Sequence, residues 1–448
     1  MPSTSPAATA PINRRASLAV ALGTLIAVLD LGMVNLALPS MAAGLSIAES
    51  QAVWISTSYQ LVCAASLMLA SGLSYVIGRK RLYLAGLLLF AAGASLALLA
   101  DSFAWLIVAR IWMGLGGAAL LSLGPALLRT IYPANRLGQA LAINALVVAT
   151  GLAGGPSLAG VILYLADWPW IFALNLPLAL TALWLSATAL TPEPAQRRRF
   201  DWLGGLYSAL LMACLLLSLE RLGHGADSWI PVLLLVTAAL ALALFVRRER
   251  RASYPLVPLS IFRRRRFSLA ILVTLLAFTA QGLTFVALSF LYQSDFQHGP
   301  LMAAMLFSPW PIALLVSGPL AGRLSDRLNP AALSTAGLAL FVVGLLLLLL
   351  GAVSLQLPLL LVASVISGLG YGFFQAPNNH EVMAQVELSL SSTASGVLAT
   401  VRTLGQSLGS ASFALAWSVS PGAMLWPLLL ALLISLAATL ISLRRLRH

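Results

Sequence analysis

The chain has 448 residues and a net charge of +13, yet 60% of it is hydrophobic, 9% is charged, and the mean hydropathy is +0.95. A water-soluble globule needs a polar shell that this composition cannot supply. The basic residues form short clusters between apolar runs rather than one helix face or tail, which argues against nucleic acid as a partner; Cys63 and Cys214 both lie inside apolar runs, leaving no disulfide framework and no metal-ligand spacing.

Residues 1–13 are small and polar, and Arg14 and Arg15 then precede an apolar run that is too long for a secretory leader and carries Asp30, so an uncleaved first span is expected. Apolar runs long enough to cross about 30 Å of hydrocarbon follow almost without pause, and inside lipid they must be helices to satisfy their own backbone. Spans are predicted near 16–39, 52–76, 82–100, 104–129, 138–164, 168–190, 202–222, 228–246, 267–291, 301–322, 331–353, 357–379, 391–418 and 422–443, fourteen in all. With both termini cytoplasmic, all of the 26 basic residues except Arg110, Arg221 and Arg402 fall on the cytoplasmic side, as positive charge retained there requires. The opposite loops hold Glu49, Asp101, Asp167, Glu220, Asp227 and Asp295. An odd number of helices would scramble that pattern.

Two arginine-rich linkers, 191–201 and 247–266, bracket a helical hairpin at 202–246. The expected organisation is a cytoplasmic tail 1–15, a six-helix bundle 16–190, linkers and inserted hairpin 191–266, a second six-helix bundle 267–443, and a cytoplasmic tail 444–448. The loop after the second span, Ser71 to Arg81 with Gly78-Arg79-Lys80-Arg81, has a counterpart at the matching place in the second half, Gly322-Arg323-Leu324-Ser325-Asp326-Arg327. Two halves with a shared loop imply a pseudo-symmetric transporter that binds substrate between them near mid-membrane. His224 and His298 stand alone in outer loops and no nucleophile pair or carboxylate dyad is present, so an enzyme is not expected.

Asp30 is the one acid well inside a predicted span, and a carboxylate in lipid costs on the order of 3 kcal/mol or more, which makes it a functional candidate. Arg110 in the fourth span is equally out of place. At about 1.5 Å per residue both lie roughly 10–13 Å from the outer face, so they can meet. A pair that forms and breaks with protonation would give the two states that transport needs; a permanent structural pair is the alternative. Burial favours the neutral form of a carboxyl group and so brings it within reach of a proton gradient. In the fifth span, Gly151-Leu152-Ala153-Gly154-Gly155-Pro156-Ser157-Leu158-Ala159-Gly160 allows close helix approach and a bend, which suits a hinge and a seal against leak through the cavity; ordinary small-residue packing is the alternative.

Taken in order, Leu29-Asp30 through Asn35 to Ala37-Leu38-Pro39, Arg110 to Gly116, Gly151 to Gly160, Trp168 to Pro177, Phe200 to Gly204, Gly368 to Asn379 and Ala394 to Gly409 resemble the fourteen-helix drug:proton antiporter branch of the major facilitator superfamily over nearly the whole chain. The resemblance implies an all-α membrane protein of the major facilitator fold, two six-helix bundles with two additional central helices. It implies proton coupling at Asp30 with Arg110, an antiporter motif at Gly151, Gly155, Pro156 and Gly160, and a cytoplasmic loop latch at Gly78, Arg79, Lys80, Gly322, Asp326 and Arg327. Four positions depart from the family pattern: Tyr75 replaces the loop Asp, Ser71 the opening Gly, Met113 a Gln beside Arg110, and Ala159 one Gly of the fifth-span motif. Asp326 and Arg327 are then left to carry the latch, unless Tyr75 hydrogen-bonds in place of the carboxylate.

Asn35, Trp54, Tyr59, Gln60, Gln281, Phe285, Tyr292, Gln293, Trp310 and Arg402 are the candidates for a polar-apolar cavity suited to neutral, monovalent cationic or amphipathic compounds. The function expected is proton-coupled export of lipophilic or cationic small molecules across the inner membrane, driven by the proton gradient without a cofactor. A dedicated exporter of one metabolite or siderophore is the alternative, and a transport-inactive sensor or scaffold the distant one. The expected partners are the lipid bilayer, a small-molecule substrate and protons; a monomer is expected, with an accessory export protein as an open addition.

Overall fold

Fifteen α-helices make up nearly all of the computed structural model, which describes residues 12–47, 49–192, 200–223, 229–292, 296, 300–419 and 424–446. They are α1 (Arg14–Leu45), α2 (Glu49–Ile77), α3 (Arg79–Leu98), α4 (Phe103–Ile131), α5 (Leu137–Leu165), α6 (Trp170–Ala189), α7 (Trp202–Gly223), α8 (Ile230–Glu249), α9 (Arg265–Phe290), α10 (Pro300–Phe307), α11 (Pro309–Ser325), α12 (Pro330–Val353), α13 (Leu357–Ala384), α14 (Ser391–Val419) and α15 (Leu425–Arg445). Among the described residues, twelve spans are long and apolar enough to cross a membrane, one of them running from the end of α10 through α11. α5 and α14 are each 29 residues long but fall outside that set, so the twelve do not reach the fourteen crossings expected. α14 is less apolar because it carries Ser391, Ser392, Thr393, Ser395, Thr400 and Arg402.

Short polar signals set the helix ends. The Asn13 side chain accepts from the Ala16 N–H at 3.1 Å and starts α1, and Asn329 does the same for α12 from Ala331 at 2.9 Å, with Pro330 as the first helical residue. Gly78, at φ 93°, turns the chain between α2 and α3 in a conformation that only glycine adopts freely. The expected span 301–322 is divided at Ser308, where Pro309 and Pro311 withhold backbone N–H groups. α13 and α15 run further than expected, to Ala384 and Arg445; Arg445 is fully buried, not part of a tail.

The largest buried cluster draws on α1 to α6 and a second mainly on α9 and α11 to α15. They meet along two lines, α5 against α11 and α2 against α14, and α7 packs on both α2 and α14 so that the hairpin lies over one seam. Arg79, Lys80, Arg129, Arg248, Arg264 and Arg327 gather at one end of the molecule, the arginine-rich end, where the described contacts between the halves concentrate.

Candidate functional site

Asp30 and Arg110 meet as the depth reckoning allowed: Arg110 Nη1 lies 2.6 Å from Asp30 Oδ2, and both side chains are wholly buried. The other carboxylate oxygen accepts from Asn175 Nδ2 at 2.9 Å, which brings α6 into the site. Arg110 Nε donates to the Ile55 carbonyl at 2.9 Å, and its guanidinium lies over the Tyr59 ring at 4.4 Å and near Phe172 at 5.9 Å. Met113, the departure from the family pattern, touches Nη1 through its sulfur at 3.6 Å. A buried charge pair held this way is locked while both partners are ionised, and losing either charge strands the other.

The small residues of α5 act at this level. A Cβ on Gly155 would sit 2.9 Å from Gly32 Cα and 3.0 Å from the Leu29 carbonyl, and one on Gly151 3.1 Å from Val28, so α5 lies backbone to backbone with the turn of α1 that carries Asp30. Gly160 differs, since its nearest neighbour would be Leu36 at 3.9 Å. The side chain of Pro156 lies outside the described residues.

At the arginine-rich end the two halves are joined by a set of polar contacts. Asp326 at the end of α11 accepts from the N–H groups of Gly138 at 2.7 Å and Gln139 at 3.0 Å in the first turn of α5, where partial positive charge favours an anion. Gly322 makes that approach possible, because a Cβ there would lie 2.7 Å from the Gly138 carbonyl. Across the other seam Tyr75 accepts from the Thr393 N–H at 3.2 Å and bonds its hydroxyl at 3.0 Å, taking over what a carboxylate would do. Arg79 donates to Ser392 Oγ at 2.8 Å and to the Leu388 carbonyl at 3.2 Å. Lys80 does not cross the seam; it holds the carbonyls of Ala187 and Leu190 within the first half, and Arg327 is exposed. Arg129, absent from the sequence reading of the latch, donates to Ser391 Oγ at 3.0 Å and to the Val386 carbonyl at 2.7 Å.

The cavity candidates divide. Asn35 and Gln60 are exposed and linked through Ser56 at 2.6 and 3.0 Å, one turn beyond Asp30, and Trp54 is partly open. Tyr59 belongs to the Arg110 site instead and donates to the Ala27 carbonyl at 3.0 Å. Phe285 meets Trp310 edge to face at 5.1 Å, whereas Gln281, Tyr292 and Trp310 are buried. Arg402 is half-buried, and Gln293 lies outside the described residues. Asn175 was missed as a site residue; its signal was an amide in an apolar span. So was a second buried pair, Glu381 with Arg445 at 3.0 Å, which Asn378 and Ser334 complete at 2.7 and 3.1 Å. It lay past the expected end of the span at residue 379.

Residues 20–410 match the family model of the Major Facilitator Superfamily. The chain is 36% identical over 409 residues to an uncharacterized transporter of Escherichia coli, YebQ, covering 90% of each chain. It is 30% identical over 397 residues to the riboflavin transporter RibZ of Clostridioides difficile, covering 88% of this chain and 86% of that one. To the multidrug resistance protein Stp of Mycobacterium tuberculosis it is 31% identical over 398 residues, covering 88% and 74%.

Proposed function

The chain belongs to the major facilitator superfamily, and from that premise we propose that this multi-pass membrane transporter is a proton-coupled antiporter exporting lipophilic or cationic small molecules across the inner membrane by alternating access. The observation that carries this reading is the wholly buried Asp30–Arg110 pair with Asn175 on its free oxygen, set where α5 and α1 touch backbone to backbone. A proton from outside neutralises Asp30 and releases Arg110; the loss of that ionic tie lets α1, α4 and α6 shift, and with them the first bundle against the second. The contacts of Asp326 and Tyr75 close the arginine-rich end in one of the two alternating states, which we take as outward-facing with the termini cytoplasmic. In this reading α5 and α14 also cross, which makes fourteen spans in two six-helix bundles flanking the α7–α8 hairpin, and the gradient is the only energy source.

Relatives support the export reading, since Stp is a multidrug resistance protein. The similarity to RibZ, a riboflavin transporter, favours a second reading in which one metabolite is carried. Inverted membrane vesicles with an imposed proton gradient test both. A panel of lipophilic cations, neutral amphiphiles and aromatic carboxylates should contain compounds that collapse the gradient with wild type and not with Asp30→Asn; gradient collapse by a single compound would select the dedicated exporter, and no movement of protons with any compound would sink coupled antiport.

A further inference from the structure

Arg402 differs from Arg110 and Arg445, the two fully buried arginines. Arg110 faces Asp30 and Arg445 faces Glu381, and these are the two carboxylates buried in α1–α6 and α9–α15 among the described residues. Arg402, twelve residues into α14, has neither. Its Nη2 donates to Asn379 Oδ1 at 2.5 Å, its guanidinium lies 5.5 Å from the centre of the Phe278 ring, and its Nε has no acceptor among the described residues. The ring of Tyr371 stands edge to face on the same Phe278, and its hydroxyl also has no partner there.

From this point an unbroken chain of edge-to-face rings leads away: Phe278 to Tyr371 at 5.6 Å, Tyr371 to Phe341 at 5.4 Å, Phe341 to Trp310 at 5.6 Å. The indole N–H at its far end has no acceptor either. The surroundings of Arg402 are therefore donor-rich and aromatic, with one cation and, among the described residues, no free carboxylate, and the four rings themselves are buried. A guanidinium only donates, its planar fork fits a carboxylate, and in a low-dielectric interior an unmatched positive charge repels cations and draws anions. α14 supplies one side of the seam between the halves, and Arg402 on that helix is half-buried rather than sealed within its own bundle.

We propose that Arg402, with its fork oriented by Asn379 and with the Phe278 ring beside it, is an anion subsite, and that the exported molecule is an aromatic amphiphile bearing a carboxylate or a similar monoanionic group. This deepens the export reading and rests on its alternating access between the two bundles; of the lipophilic or cationic compounds named there it keeps the lipophilic ones that carry an acid and sets the cations aside.

The test is equilibrium binding by calorimetry to the full-length protein in phosphatidylcholine nanodiscs, with three matched probes: naphthoate, its methyl ester, and the naphthyl trimethylammonium analogue. Wild type should bind naphthoate about tenfold or more tightly than either of the others, the effect of one charge-assisted contact. Arg402→Gln should remove that preference while ester binding stays within about twofold, which also shows the variant is folded, and Arg402→Lys should keep part of it. Equal binding of the three probes by wild type, or an equal loss of all three in Arg402→Gln, overturns the proposal. So does loss of the naphthoate preference when phosphatidylglycerol is added to the nanodisc, which would assign the site to a lipid headgroup. A preference for naphthoate in a protein that moves no protons in vesicles would support the subsite and refute antiport, so the two failures are separable.

Discussion

The hydroxyl of Tyr75 holds the first turn of α14 as the carboxylate of Asp326 holds the first turn of α5. The two residues stand at the ends of α2 and α11, the helices that precede the matched loops, and each accepts from the backbone of a helix in the opposite half, Tyr75 from one N–H and Asp326 from two. The replacement of a loop carboxylate by Tyr75 thus keeps the geometry of the contact and gives up its charge.

A neutral hydrogen bond contributes about 1 kcal/mol and a charged one about 1.5–3 kcal/mol. Tyr75→Phe should therefore shift the balance toward opening of the arginine-rich end about fivefold, and Asp326→Ala by tenfold or more. Spin labels at exposed positions 81 and 327, in a chain without Cys63 and Cys214, report the opening as a longer distance population. Equal effects of the two substitutions would contradict the difference in charge.

Arg110→Met should destabilise the protein by about 3–5 kcal/mol because it strands the buried Asp30 carboxylate, and adding Asp30→Asn should recover much of the loss. Thermal unfolding of the reconstituted protein measures the first effect and the recovery. Both variants should fail to couple protons to substrate in vesicles, so stability and transport part company in the double variant.

Gly155→Ala should cost about 1–3 kcal/mol and slow transport, since its Cβ would press on the backbone of Gly32 and Leu29, whereas Gly160→Ala should be close to neutral. The melting temperatures of the two variants decide this. Equal effects would mean that α5 lies differently against α1.

Arg445→Met should destabilise by about 3–5 kcal/mol by leaving Glu381 unpaired, while Arg444→Met, one residue earlier and exposed, should change little. A chain ending before Arg445 should behave like the first variant. Expression level and melting temperature in the membrane-extracted protein check both.

Hydropathy by itself determined that the chain crosses a bilayer repeatedly, and the positions of Asp30 and Arg110 along their helices determined that they stand at one depth, because rise per residue and bilayer thickness are constants. The matched loops at 71–81 and 322–329 were legible for the same reason: they are runs of adjacent residues. Only the tertiary structure decided which way each side chain turns around its helix axis. Helices apolar on nearly every face carry little amphipathic signal to reveal that direction, so the approach of Asn175 to Asp30, of Tyr75 to Thr393 and of Arg445 to Glu381 had no trace in the pattern. Depth is a property of one helix and is written in its sequence; facing is a property of the packed pair, and appears only when both helices are in place.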